Sequence, residues 1–112
     1  MSFYTVIKTQ LNNKKYIVCA LEELKRKGEI TNFVNIEKKG SIEVDRDGDI
    51  INITKEKTGN YQVGGDNRVV NRFSDRLKQF YALESIKDNL PLDFEIAQEV
   101  ESEGEIRILL KG

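Results

Sequence analysis

"SIEVDRDGDI", residues 41–50, decides the fold, because it reads either as the ligand run of a calcium loop or as the turn of a β-hairpin. With Asp47-Gly48 as a two-residue loop, Arg46 faces Asp49, Val44 faces Ile51 and Ile42 faces Ile53, gathering four β-branched residues on one face. With Asp45, Asp47 and Asp49 as first, third and fifth ligands of a calcium loop, Glu56 falls at the twelfth place. The sixth place of such a loop takes a glycine for its sharp turn, and here it holds Ile50. The flanks also read as strands, whereas a calcium-binding helix-loop-helix needs helices. A hairpin is therefore the expectation, and a cation site at Asp45, Asp47, Asp49 and Glu56 is the alternative.

Upstream of the hairpin, "FYTVIKTQL" (3–11) is rich in aromatic and β-branched residues and reads as a strand. Asn12 or Asn13 can cap a helix whose Ile17, Ala20, Leu21 and Leu24 recur on one face, with Lys25, Arg26 and Lys27 in its last turn and Gly28 as the stop. A second strand starts at Ile30, runs through Phe33, Val34 and Ile36, and closes at Gly40. Downstream, Thr58, Gly59 and Asn60 turn the chain into "YQV", after which "GGDNR" breaks the sheet. A long helix follows from Asn67 to Asn89, with Val70, Phe73, Leu77, Phe80, Tyr81, Leu83 and Ile86 on a broad apolar stripe that Leu90 and Pro91 end. The closing "DFEIAQEVESEGEIRILLKG" predicts a hairpin over Ser102, Glu103 and Gly104, with Val100 opposite Ile106, Ile96 opposite Leu110 and Gly104 in the left-handed position.

The elements run β-α-β-β-β-β-α-β-β. They predict a single α+β domain over residues 1–112, with an antiparallel or mixed sheet of six to seven strands, both helices on one face, and an elaboration of the ferredoxin-like pattern. A chain of 112 residues can bury roughly two thirds of its unfolded surface, enough for one real core. No apolar run approaches the ~18 residues of a bilayer helix. The start "MSFYTVIKTQL" has no signal-peptide pattern, so the expectation is a cytoplasmic protein.

Charge and histidine content exclude several function classes. Eighteen basic against nineteen acidic residues leave a net charge of -1, which argues against a protein built to grip phosphate backbones. Histidine is absent, which removes the commonest general base and the usual partner of a nucleophilic serine or cysteine. Cys19 sits one residue off the apolar stripe of the first helix and reads as a structural thiol. Glu22 and Glu23 are adjacent on that helix and point about 100° apart, so they make no acid/base pair. "GNYQVGGD" (59–66) lacks the glycine spacing and the lysine of a phosphate cradle. Lys38, Lys39, Lys55 and Lys57 suit solvent faces or a protected sheet edge. Arg68, Arg72 and Arg76 recur every four residues along the long helix, a spacing that could cradle phosphate or an acidic partner, and form the candidate partner-binding surface, open to plain solvent, an acidic protein or nucleic acid.

The strand residues "IKT" (7–9), the helix bearing "ALEEL", the segment "RFSDRLKQFYALESIKDN" and the closing "EVESEGEIRILLK" resemble a small family of unknown function. That family occurs in cyanobacteria, other bacteria and algal plastids and is known as a hypothetical chloroplast reading frame. The similarity covers most of the chain, more loosely in the middle. Phe3 stands where family members commonly carry a histidine after Met-Ser, so no role of that histidine carries over. The resemblance implies a soluble cytoplasmic or plastid-stromal protein with no assigned activity, encoded near AAA-type ATPases and ferredoxin-like proteins.

Two functions follow as expectations. The first is a non-catalytic interaction or adaptor module, with no catalytic residues, no cofactor and a protein partner such as an AAA-type ATPase. The second is a divalent-cation-dependent or small-ligand enzyme using Asp45, Asp47, Asp49 and Glu56. Neither involves a membrane or nucleic acid.

Overall fold

The computed structural model of the chain describes the backbone of residues 3–89, 95–102 and 105–111, and the side chains of residues 3–89. Strands β1 (Tyr4–Lys8), β2 (Asn32–Ile36), β3 (Ser41–Arg46), β4 (Asp49–Lys55) and β5 (Tyr61–Asp66) form a five-stranded antiparallel sheet in the order β1-β5-β4-β3-β2. Helix α1 (Lys14–Arg26) joins β1 to β2, and helix α2 (Asn67–Asp88) follows β5. Strands β6 (Glu95–Ser102) and β7 (Glu105–Lys111) form a separate two-stranded sheet.

The architecture is α+β, but the expected single sheet of six to seven strands is not formed. β6 and β7 adjoin in sequence and satisfy each other's backbone groups locally, leaving five strands in the main sheet. The ferredoxin-like elaboration is also corrected. That pattern interleaves two split β-α-β units, whereas here β2, β3, β4 and β5 meander in sequence order and β1 lies on the far edge beside β5.

The central hairpin has the register that a two-residue turn requires, with Arg46 opposite Asp49, Val44 opposite Ile51 and Ile42 opposite Ile53. Asp47 and Gly48 both take positive φ, 50° and 93°, as a type I′ turn demands. The sequence reading fails at "GGDNR". Gly64, Gly65 and Asp66 extend β5 and pair with Val6, Thr5 and Tyr4, so the glycines lie inside the sheet. Asp66 then caps α2 directly, its carboxylate accepting from the Arg68 amide at 2.8 Å, so strand and helix meet without a loop.

α1 is capped by Asn13, whose side chain accepts from the Lys15 amide at 3.0 Å, and buries Ile17, Ala20, Leu21 and Leu24. α2 buries Val70, Phe73, Leu77, Phe80 and Leu83, while Ile86, expected on the same stripe, is exposed. These residues form one core with Ile42, Val44, Ile51, Ile53, Tyr61 and Val63, which the period-two alternation of the strands places on a single sheet face. Both helices therefore cover the same side of the sheet.

In the terminal hairpin Ile96 opposes Leu110 as expected, but Val100 opposes Arg107 instead of Ile106. A register irregularity between Ile96 and Gln98 and the pairing of Ser102 with Glu105 shift the strands by one residue. Leu90, Pro91 and Gly104 lie outside the described residues. Among the described residues no helix is long and apolar enough to cross a membrane.

Candidate functional site

With the helices on one side, the other face of the sheet is open. Strand pairing lines its residues into rows that run from β1 to β2. One row is Val6, Gly64, Asn52, Glu43 and Val34; its neighbour contains Tyr4 opposite Asp66, Ile50 opposite Asp45, and Asn32 opposite Asp45. Val6, Val34, Ile50 and Tyr4 keep 49%, 56%, 46% and 63% of their surface accessible, so the face carries apolar side chains that nothing covers among the described residues. Large apolar surface left in water costs free energy and marks a place where another surface is expected.

Gly64 shapes this face. A Cβ there would lie 2.5 Å from the Tyr4 hydroxyl and 3.0 Å from its ring, so the missing side chain lets the tyrosine lie across the neighbouring strand β5. On the core side, a Cβ on Gly65 would meet Ile51 Cγ1 at 3.2 Å. Toward the other edge a shallow depression of about 220 Å³ opens over β2 and β3, lined by Asn32, Val34, Glu43, Asp45 and Ile50 together with Phe33 and Val44. Its charged groups are the carboxylates of Glu43 and Asp45.

The four carboxylates singled out by sequence are not brought together. Asp45 accepts from the Gly48 amide at 2.8 Å and so braces its own turn. Asp47 receives the Thr31 hydroxyl at 3.4 Å, and its amide donates back to that oxygen at 3.3 Å, tying the turn to the residue before β2. Asp45 and Asp49 sit on opposite sheet faces because they pair with Ile50 and Arg46 respectively. Glu56 lies beyond the far end of β4, ~20 Å along the strand from Asp49, and pairs with Lys8 at 3.4 Å. Among the described residues no group of three or more metal-ligating side chains converges.

The three arginines of α2 have separate tasks. Arg68 forks onto its own cap, Asp66, through Nε and Nη2, both at 3.0 Å. Arg76 turns inward. Its Nε and Nη2 donate to the two oxygens of Glu29 at 2.8 and 2.6 Å, Nη1 donates to Gln79 at 2.8 Å, and the guanidinium stacks on Phe80 at 5.0 Å. These hydrogen bonds hold the Glu29 carboxyl below its ordinary range against the opposing effect of burial, with the charges of Arg76, Arg72 and Lys27 adding to them. Arg72 is exposed beside this pair. The three arginines thus have different surroundings: Arg68 is held by the cap Asp66, Arg72 is exposed, and Arg76 clamps α2 to the segment after α1.

Cys19 is half-buried, and burial, reinforced by Glu84 and Glu22, pushes its thiol up, away from the reactive thiolate. Nearby, the Tyr16 hydroxyl donates to Asp88 at 2.7 Å, and its ring meets Tyr81 edge to face at 5.5 Å. The Tyr81 hydroxyl in turn accepts from the Asn13 amide at 3.0 Å. Sequence reasoning missed this tyrosine lock, which fixes α1 against α2. It also missed the open face, whose one sequence signal is apolar residues at both phases of a strand, as in Ile50-Ile51 and Val6-Ile7. No protein-family model matches the chain, and no curated protein or solved structure matches it significantly.

Proposed function

We propose that the protein is a non-catalytic interaction module whose working surface is the open face of its five-stranded sheet. The observation that carries this reading is the exposure of Val6 and Val34 in one row and of Ile50 and Tyr4 in the next, with Tyr4 laid over Gly64, on the face opposite the core. The core does not need these side chains, and their exposure is offset only when a partner covers them. The resemblance noted above makes an AAA-type ATPase the first partner to test and the cytoplasm or a plastid stroma the compartment.

Tagged protein retained on resin and exposed to host lysate, with and without a non-hydrolysable ATP analogue, tests the reading. The expected result is one stoichiometric protein held by the wild type and lost from Val6→Lys and Ile50→Lys proteins that melt at the wild-type temperature. Equal retention by these variants, or retention of nothing by the wild type, would overturn it.

A further inference from the structure

We infer that the β2 edge of this face takes up a basic, extended peptide segment as a sixth strand; this rests on the interaction reading and names the partner's chemistry. β2 is an edge strand, paired among the described residues with β3 alone. Its sequence, Asn-Phe-Val-Asn-Ile, has no charge and no proline, and its register with β3 runs unbroken from Asn32 to Ile36. Natural sheets blunt such edges with charges, prolines or bulges because the unpaired amides and carbonyls template another strand. Within β2 none of these devices appears; the one charge that reaches it among the described residues is Lys25, whose Nζ donates to Asn32 Oδ1 at 3.1 Å at the first residue, leaving residues 33–36 without one. The other edge, β1, ends in Lys8, a charged residue held by Glu56 at 3.4 Å.

The side chains beside β2 select the occupant. Val34, the middle residue of the strand, is 56% exposed and offers an apolar contact on the open face. Next to it Glu43 and Asp45 are the charged residues that line the depression among the described residues, with Lys25 at its rim on Asn32. A strand added to β2 lies two strand spacings, about 10 Å, from β3, a gap that a lysine or arginine stem and the Glu43 side chain span together. The segment that fits places a small or β-branched residue beside Val34 and, two residues along on the same face, a lysine or arginine reaching toward Glu43 and Asp45. Backbone pairing supplies the affinity and the acidic depression supplies the sign of the charge. A second copy of this chain fits less well, because two β2 edges placed together bring two pairs of these carboxylates to one seam.

A random-peptide display library panned on the immobilised full chain tests this, with Val34→Lys protein as the counter-selection. The expected winners carry a β-branched residue and a lysine or arginine two positions apart, and their binding perturbs the backbone amide signals of β2. N-methylating alternate residues of a winner, which deletes pairing donors and keeps the side chains, should weaken it at least about tenfold. The Glu43→Gln, Asp45→Asn double variant keeps the turn-bracing oxygen at residue 45 and should weaken it about fivefold at low salt, with the difference shrinking as salt rises. Acidic or neutral winners, no winners, indifference to N-methylation, or signal changes confined to β1 would overturn the inference. So would a protein dimer that Val34→Lys dissociates. The two readings fail separately: if lysate capture still depends on Val6 and Ile50 while these peptides fail, the interaction module stands and the β2 edge is not its docking strand.

Discussion

Removing the Arg76 clamp should cost far more than removing a surface ion pair. The Arg76 side chain is only 11% exposed and Glu29 31%, so the pair lies between two known regimes. Exposed pairs contribute about 0.2–1 kcal/mol, and breaking a fully buried pair costs about 3–5 kcal/mol. The forked geometry and the Gln79 bond place the Glu29 interaction near 1.5–2 kcal/mol, and the stack on Phe80 adds about 1 kcal/mol for a partly desolvated cation. Arg76→Ala should therefore destabilise by about 3 kcal/mol, a large share of the ~5–15 kcal/mol of a typical domain. Arg76→Lys keeps the charge but loses the fork and the planar stack, and should lose roughly half as much. Urea unfolding followed by far-ultraviolet circular dichroism reads this as a midpoint shift of roughly 2 M for Arg76→Ala, given a slope near 1.5 kcal/mol/M. In a double-mutant cycle with Glu29→Ala the coupling should be about 1.5–2 kcal/mol. A coupling below about 0.5 kcal/mol, the additivity of unconnected sites, would refute the clamp. Its pH dependence has a definite sign. The folded-state pKa of Glu29 is lowered, so the stabilisation is fully present above the unfolded carboxylate value of about 4.3 and is lost as pH falls through the folded value. The gap between wild type and Glu29→Gln should begin to narrow as pH falls below about 4.3 and should close as it passes the lower folded value.

The two glycines of β5 should respond differently to alanine. Gly64→Ala meets the mobile end of Tyr4 and should cost under about 1 kcal/mol while displacing that ring, whereas Gly65→Ala presses on Ile51 in the core and should cost about 1–2 kcal/mol; a larger loss at Gly64 in urea melts contradicts this placement. At the hairpin turn Asp47→Asn should change stability by less than about 0.5 kcal/mol, because asparagine also accepts positive φ, and Asp47→Val should lose more than about 1 kcal/mol. Millimolar calcium should leave the melting temperature unmoved; a clear rise would restore the cation reading. Ser74 is buried in α2 with an Oγ that has no hydrogen-bond partner among the described residues, so Ser74→Ala should stabilise the fold by about 1 kcal/mol, read as a higher melting temperature.

For the central hairpin and the two helices, whose determinants are local, the sequence alone was enough. Asp47-Gly48 with alternating β-branched neighbours set the β3–β4 register, because a two-residue turn leaves one pairing that keeps Ile42, Val44, Ile51 and Ile53 on a common face. Asn13, the 17-20-21-24 stripe and the stripe of α2 are equally local, since cap and periodicity lie within a few turns of each helix. The candidate sites were legible only as residue types. Three arginines at helical spacing looked like one surface until Glu29, 47 residues away from Arg76, drew one of them inward.

The strand order is of the same kind: β1 reaches β5 through pairings such as Tyr4 with Asp66, across most of the main sheet's sequence. Such contacts depend on which loop closures the whole core rewards, and no local pattern encodes that choice. The two glycines read as a break become strand once β1 lies beside them. The open face was likewise undetermined until both helices settled on one side, because a strand with apolar residues in both phases fits a covered sheet or an exposed one equally well. Local chemistry thus fixed the pieces and their inward stripes, while long-range packing decided which apolar residues were left facing water.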